Sequence, residues 1–316
     1  MVNIGLAISP PRQLASRRLA DAVRLCVVEA RPCVLLVFLL RFLVGSALSG
    51  MGAARGDLVR VAETAVVWEL AVFAVYLFNG VTDVHEDRIN GSQRPIARGA
   101  LSTAVARWVA AVAAMASIGG AAALGSHLLW AVLALLGLGF CYSSPPIHLK
   151  RHAVTSTATG ILLGLLTYYA GPSAYTGHGW SHASAALCVF VVGATTWMGL
   201  VGGLTKDLSD VAGDVAAGRR TVPGVCGEAR ARRAVSFAAL GLAVGFCAAG
   251  AWTSPLLIWP GVAMLGGAIA MAVVCLRRSA HRTRSGSRRP YRVFMTTQYL
   301  VNLSVVAPLI GQCLSG

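Results

Sequence analysis

Long apolar runs constrain this chain more than any other feature. A helix that crosses a bilayer needs about 20 mostly apolar residues. The sequence offers nine such stretches: 33–52, 60–79, 103–124, 127–142, 153–171, 183–204, 233–252, 256–276 and 293–313. The fourth is short, and Thr155, Ser156, Thr157 and Thr159 dilute the fifth. Hydrophobic residues make up 56% of the 316 positions and charged residues only 12%, against about 25% charged in soluble domains. These numbers exclude an ordinary soluble domain and predict an all-α, polytopic membrane protein with nine transmembrane helices. Residues 1–32 read as an N-terminal arm and 33–313 as one membrane domain.

The charge pattern gives the topology. The formal net charge is +15, which in a soluble chain would raise the question of nucleic acid. Of the 27 Lys and Arg residues, all but Arg41, Arg55 and Arg60 fall where alternate loops share one side. Positive residues mark cytoplasmic loops. The N-terminus is therefore expected in the cytoplasm, the C-terminus outside, and the number of spans odd. This placement accounts for the charge without any nucleic-acid partner. The basic stretch 277–292 (RRSAHRTRSGSRRPYR) reads as a solvated cytoplasmic loop that enforces topology rather than as a lipid-headgroup site. Residues 1–30 lack the short apolar core and cleavage site of a signal peptide. The eight cysteines are scattered, without metal-ligand spacing, and read as small hydrophobes.

The chemistry is concentrated in the acids. Only 12 exist, and six sit in two clusters, Asn79-Gly-Val-Thr-Asp83-Val-His-Glu86-Asp87 and Lys206-Asp207-Leu-Ser-Asp210-Val-Ala-Gly-Asp214. Asn79, Asp83 and Asp87 are spaced i, i+4, i+8, while Asp207, Asp210 and Asp214 are spaced i, i+3, i+7. On a helix each set shares a face. Stacked carboxylates repel, so each array calls for a cation. Oxygen ligands that leave room for water and phosphate suit Mg²⁺. Arg94 and Arg98 follow the first cluster, Arg219 and Arg220 the second, and Lys150 and Arg151 close the segment that begins at Tyr142. Metal plus Lys and Arg is the donor set a diphosphate requires. A transporter reading fits less well, because the acids fall at helix ends rather than near the midplane. His85 falls off the acidic face, His148 and His152 read as interfacial anchors, and Tyr168 and Tyr169 as helix packing.

Taken together, NxxxDxxxD with a downstream RPI, then YSxPPxxLKR, then KDxxDxxGD resembles the UbiA superfamily of intramembrane prenyltransferases. The order of the motifs, their spacing and the Arg31-Pro32 pair before the first apolar run agree with it over nearly the whole chain. Gly80 departs from the pattern, since many members carry a second acid there. The second motif is nearer the homogentisate and menaquinone branches than the 4-hydroxybenzoate branch. The resemblance implies helices bundled around a central cavity, capped on the cytoplasmic side by loops 80–102 and 205–232. It implies two Mg²⁺ held by Asn79, Asp83, Asp87, Asp207, Asp210 and Asp214, and a diphosphate bound by Arg94, Arg98, Lys150, Arg151 and Lys206. Asp207, Asp210, Lys150 and Tyr142 are the implied catalytic groups, with Asp207 and Asp210 as alternative bases. The implied reaction transfers a prenyl group from an isoprenoid diphosphate to an aromatic acceptor through an allylic cation, and a terpene cyclase on the same scaffold is the alternative.

Two further expectations concern isolated charges. Arg41 and Glu69 fall at similar depth on consecutive helices, which predicts a buried ion pair or, alternatively, an Arg41 facing the cavity. The only two lysines, Lys150 and Lys206, lie inside the motifs of a chain otherwise written with arginine, which predicts direct contact with the diphosphate.

Overall fold

The computed structural model describes residues 11–49, 55–174, 183–216, 218–277 and 288–315. Helices follow the apolar runs: α1 Pro11–Glu29, α2 Pro32–Leu48, α3 Arg55–Thr82, α4 Val84–Ile89, α5 Thr103–Leu124, α6 Ser126–Ser143, α7 Ala153–Ala170, α8 Ala185–Thr196, α9 Gly203–Ala216, α10 Val222–Cys226, α11 Glu228–Thr253, α12 Ile258–Leu276 and α13 Arg289–Ser315. No strand occurs among the described residues, and an isolated bridge joins His152 to Arg220. A helix lies on each of the nine apolar segments. Among the described residues, seven apolar spans are long enough to cross a membrane: Leu58–Thr82, Thr103–Leu124, Ser126–Ser143, Ala153–Ala170, Ala185–Ala216, Glu228–Thr253 and Pro255–Leu276. α2 is apolar but has only 17 residues, and α13 carries Arg292, Gln298 and Asn302 among its apolar residues.

Local sequence sets the joints. Pro32 opens α2, where its missing N–H costs nothing. Arg31 before it takes the left-handed conformation, φ 62 and ψ 79, and turns the chain sharply out of α1. Residues 197–202 form a π-helical turn between α8 and α9, so 185–216 is one rod with a locally widened turn.

Three apolar cores hold the bundle. One joins α2, α3, α6 and α7 through Phe38, Phe42, Trp68 and Leu135, with Ala170. Another joins α8, α11, α12 and α13 through Phe190, Phe246, Met264 and Phe294. The smallest packs the end of α1 onto α3 and α5 through Cys26, Leu77, Ile96 and Ala106. The N-terminal arm is thus tied down at its end, where Cys26, Glu29 and Ala30 are fully buried. The basic loop 277–292 lies largely outside the described residues.

Lipid offers helices no hydrophobic reason to associate, so close packing of small residues must supply the attraction. α2 and α7 meet in this way. A Cβ on Gly45 would sit 2.3 Å from the Tyr168 carbonyl oxygen, and one on Gly171 would sit 2.3 Å from that of Phe42. A Cβ on Gly119 of α5 would meet nothing within 4 Å. Helix propensity alone favours alanine over glycine by about 1 kcal/mol, whereas overpacking costs about 1–3 kcal/mol. Gly45→Ala is therefore expected to lower the thermal midpoint in detergent, and Gly119→Ala to leave it unchanged or raise it. Equal behaviour of the two variants would contradict this packing.

Candidate active site

The site is assembled where α3 ends. The first acidic set was expected on one continuous helix, but α3 stops at Thr82 and α4 starts at Val84. Asp83 sits at the break with φ −91 and ψ 4. The i, i+4 spacing survives it, because Asp83 N–H donates to the Asn79 carbonyl at 2.9 Å and Asp87 N–H to that of Asp83 at 2.8 Å. The second set lies on α9 without interruption.

Cations of the chain hold these acids. Lys150, in the short turn Leu149–Arg151, donates to Asp83 Oδ1 at 2.5 Å and to Thr82 Oγ1 at 3.3 Å. Arg219 Nη2 donates to Asp83 Oδ1 and to Glu86 Oε1, and its Nη1 to Asp214 Oδ1, each at 3.0 Å. One guanidinium thus joins the two acidic motifs. Arg94 Nη1 reaches Asp87 Oδ2 at 2.7 Å, and its Nη2 reaches Glu29 Oε1 at 2.8 Å. Asn79 donates to Asp83 Oδ2 at 2.7 Å and accepts from Ser143 at 3.1 Å. Burial alone would raise the Asp83 pKa, but Lys150, Arg219 and Lys206 outweigh it and hold the carboxyl well below the usual range. Burial likewise works against the Arg219 charge, yet Asp83 and Asp214 push its pKa up.

Below this network opens a cavity of about 1100 Å³, solvent at its opening included. Asn79, Tyr142, Lys206 and Asp207 line its acidic end, and Val37, Leu163, Met198 and Phe294 line its walls. Gly139, Gly160, Gly199 and Gly202 also line it; a Cβ on Gly160 would meet nothing within 4 Å, whereas one on Gly139, Gly199 or Gly202 would run into Val75, Ile161 or Phe294, so those three let the neighbouring helices close in. Two of these, Gly199 and Gly202, belong to the π-helical turn, which presents backbone to the cavity just before Lys206 and Asp207. Tyr142 shares a hydrogen bond of 3.2 Å with Ser156.

Not every sequence candidate reaches the network. Arg98 and Arg151 are exposed and take part in none of the ion pairs among the described residues. Asp210 accepts from Ser209 at 3.1 Å. The Arg41–Glu69 ion pair does not form. Arg41 lines the cavity and donates from Nη2 to Gln298 Oε1 at 2.6 Å, so helix α13, not α3, supplies its partner. Three residues that sequence reasoning left out of the site belong here: Glu29, Glu86 and Arg31. Arg31 lines the cavity. Burial would lower its pKa, but Tyr291, Asp87, Asp83 and Asp210 around it raise it. Its place directly before Pro32 was the available signal.

The donor set suits a hard divalent cation, being oxygen only. Among the described residues no three acids, histidines or cysteines converge as a ready metal set. The carboxylates of the two motifs nevertheless lie within reach of the single Arg219 guanidinium.

Comparison with known proteins decides the affiliation. The profile of the UbiA prenyltransferase family matches residues 38–297. The chain belongs to the UbiA prenyltransferase family. It is accordingly an integral, multi-pass membrane protein with the UbiA fold. Diterpene cyclase eriG of Hericium erinaceus is 32% identical over 54% of this chain and 53% of its own length. A probable homogentisate phytyltransferase 2, chloroplastic, of Oryza sativa subsp. japonica is 34% identical over 43% of this chain and 37% of its own length. The chain thus matches less than two thirds of either relative. A UbiA homolog from Archaeoglobus fulgidus, solved bound to GPP and Mg²⁺, superposes with a TM-score of 0.63 at 18% identity, covering 90% of this chain and 99% of that one.

The UbiA pattern also gives meaning to Gly80. A Cβ at this position would lie 2.4 Å from Glu29 Oε1 and 2.5 Å from Arg94 Nη2. The space that a side chain on α3 would fill is taken by the Glu29 carboxylate of α1, which also accepts from Ile96 N–H at 2.8 Å. Glu29 thereby holds Arg94 against Asp87. Gly80→Ala and Glu29→Gln are each expected to cut turnover by about tenfold, with the double variant no worse than the weaker single, as coupled neighbours behave. Additive losses would separate the two positions.

Proposed function

We propose that the chain transfers a prenyl group from an isoprenoid diphosphate to an aromatic acceptor, with Mg²⁺ as cofactor. The observation that carries this reading is Arg219 bridging Asp83 and Asp214, which gathers both acidic motifs at the end of an apolar cavity. The relative solved with GPP and Mg²⁺ supports the donor class and the metal. Asn79, Asp83, Asp87, Asp207, Asp210 and Asp214 are the residues that would hold the metal. Bound there, Mg²⁺ supplies electrostatic stabilisation of a departing diphosphate.

The rest is the work of the chain. Lys150, Lys206, Arg94, Arg219 and Arg31 receive the diphosphate charge, and in its absence three of them are held by the acids. Val37, Leu163, Met198 and Phe294 sheathe the prenyl chain and keep water from the allylic cation. Asp207 lines the cavity whereas Asp210 is turned to Ser209, so Asp207 is assigned as the base that takes the ring proton. Tyr142, fixed by Ser156, contributes its ring face and hydroxyl beside the reacting carbon. Nine spans are proposed, adding α2 and α13 to the seven apolar helices, with the N-terminus and the acidic end cytoplasmic and the C-terminus outside. Segments 80–102 and 205–232, expected as loops but carrying α4, α10 and most of α9, are proposed as the cap. The similarity to a diterpene cyclase favours one alternative, in which the cation is quenched by its own double bond.

Purified protein supplied with Mg²⁺, C10, C15 or C20 diphosphates and phenolic acceptors should yield prenylated phenols by mass spectrometry. A cyclic hydrocarbon formed without acceptor would transfer the assignment to the cyclase. Asp83→Ala and Asp214→Ala should each reduce turnover by about 100-fold or more, the scale of losing a key electrostatic group, and full activity in EDTA would refute the metal.

The lysines allow a sharper test. The Lys150 side chain is only 2% exposed where it meets Asp83, and a guanidinium is larger and imposes a planar fork. Lys150→Arg and Lys206→Arg keep charge and topology, so both are expected to raise the donor KM. Unchanged kinetics in both variants would reduce these lysines to ordinary topological charges.

A further inference from the structure

The acidic end of the bundle also carries a basic patch that prenyl transfer does not use. α11 and α12 run antiparallel: a Cβ on Gly250 would sit 3.0 Å from that of Leu257, and Cys247 Sγ donates to the Gly261 carbonyl at 3.4 Å. Carried back towards the start of α11, this register sets Arg232 level with Cys275 and Arg230 level with Arg277. The Cys275 thiol does lie beside Arg232 and Ser236. α13 returns along α12 and meets it where a Cβ on Gly267 would collide with Thr297, which sets Arg289 level with Cys275. Arg230, Arg232, Arg233, Arg277 and Arg289 therefore share one end of three packed helices. No acid follows Glu228 in the sequence.

One of these arginines is not a surface charge. Arg232 is only 4% exposed, whereas Arg230, Arg233, Arg277 and Arg289 are exposed. Its Nε and Nη2 both donate to Glu228 Oε1, at 2.9 and 2.6 Å. Its Nη1 is buried and has no hydrogen-bond partner. Topology asks for positive charge in the loops. It gives no reason to bury a guanidinium, at a cost in desolvation, with one donor unfilled. Glu228 balances one of the five charges, so the missing partner is an acceptor that is also an anion. Phosphate oxygens match the arginine fork in both respects. The faces around the patch identify the source of the phosphate. Residues three and four apart share a face of a helix. On α11, Arg233 is followed on its face by the exposed Phe237, and on α12 Arg277 is preceded on its face by the exposed Val273 and Ile269. Each stripe is basic at the helix end and apolar where it enters the bilayer, so its ligand carries an anionic head and an apolar tail.

We propose that this patch binds the phosphate of an anionic phospholipid, with Arg232 Nη1 as the buried donor and the acyl chains along the exposed apolar faces of α11 and α12. Basic pockets between spanning helices are seats for anionic headgroups. The site is separate from the cavity, whose lining includes none of these arginines. The stretch 277–292 taken by itself reads as a topological signal, and the buried Arg232 on another helix is what gives its flanking arginines a ligand.

The test follows the thermal midpoint of the purified protein in a neutral detergent while dioleoyl phosphatidylglycerol, dioleoyl phosphatidylcholine or inorganic phosphate is titrated in. Phosphatidylglycerol is expected to raise the midpoint saturably, with half-saturation about tenfold or more below that of phosphatidylcholine, the scale of one or two cations near a headgroup. Inorganic phosphate is expected to leave the midpoint unchanged. Glu228→Gln with Arg232→Gln removes the buried donor together with its partner, so no carboxylate is stranded, and it should abolish the preference. Arg277→Gln with Arg289→Gln changes exposed positions, should weaken the preference several-fold, and decides the matter if the first variant fails to fold. Arg24→Gln with Arg107→Gln removes the same charge from α1 and α5 and should keep the full preference. Equal response to the two lipids, an equal effect of inorganic phosphate, a preference that survives the patch variants, or the same loss in the α1 and α5 variant each overturns the proposal.

Discussion

The geometry of this protein depends on neutralising carboxylates at the ends of apolar helices. Asp83 and Asp214 belong to rods separated by more than a hundred residues of chain, and both are nearly buried. Side by side and unpaired they would repel one another in a medium that screens poorly. Arg219 removes that penalty by donating to both, and Lys150 adds a second cation to Asp83. The loop that carries Arg219 is pinned in turn. Arg219 N–H donates to the Asp214 carbonyl at 2.8 Å, and Arg220 N–H to that of Arg151 at 2.9 Å. The network that closes the acidic end of the bundle is therefore made from the same groups that a metal–diphosphate complex would engage. Substrate binding on this reading is an exchange of partners within a preformed charge cluster, and the cluster limits the desolvation cost before any ligand arrives.

Much of this was legible in the sequence because lipid leaves few choices. The apolar runs had to be helices, and each of them is. Acids that are rare elsewhere and clustered twice had to be neutralised, and Asp83, Glu86, Asp87 and Asp214 are paired with Lys150, Arg94 and Arg219. What stayed hidden depends on contacts between remote positions. Glu29 reads as an ordinary acid in a polar arm, and only the packing of α1 against α3 brings it under Gly80. Arg41 has a possible partner of opposite sign on the next helix in Glu69, yet the bundle places α13 against that face of α2 and gives it Gln298 instead. Sequence adjacency was a poor guide there, because the chain returns to α2 with its last helix. The break at Asp83 was also illegible, since spacing alone fits a continuous helix and the two backbone bonds that preserve the spacing span the interruption.

The π-helical turn at 197–202 connects these two levels. A regular helix from Ala185 to Ala216 would carry its packing face and its acidic face in fixed phase. One widened turn changes that phase, so that Phe190 and Trp197 are buried in the core while Lys206 and Asp207, a few residues later, line the cavity. Such turns are common at functional sites. Here the widened turn is also where glycine is concentrated, at Gly199 and Gly202, with Gly203 opening α9. A Cβ on Gly199 or Gly202 would run into Ile161 of α7 or Phe294 of α13, so these glycines let both helices close on the widened turn.

The same economy explains the two ends of the cavity. At one end, acids outnumber what the bilayer tolerates, and resident arginines and lysine balance them. At the other, Arg41 has a neutral amide and an aromatic ring for neighbours, and no ion pair among the described residues includes it. Arg31 and Lys206 also line the cavity without entering an ion pair among the described residues, so Arg41 is one of three cations on a lining whose one carboxylate among the described residues is Asp207. Glu69 was available within the next helix, and Gln298 would have needed only a change from amide to carboxylate. An excess of positive charge on the wall of an apolar chamber raises the local concentration of anions, which suits the diphosphate of the proposed donor.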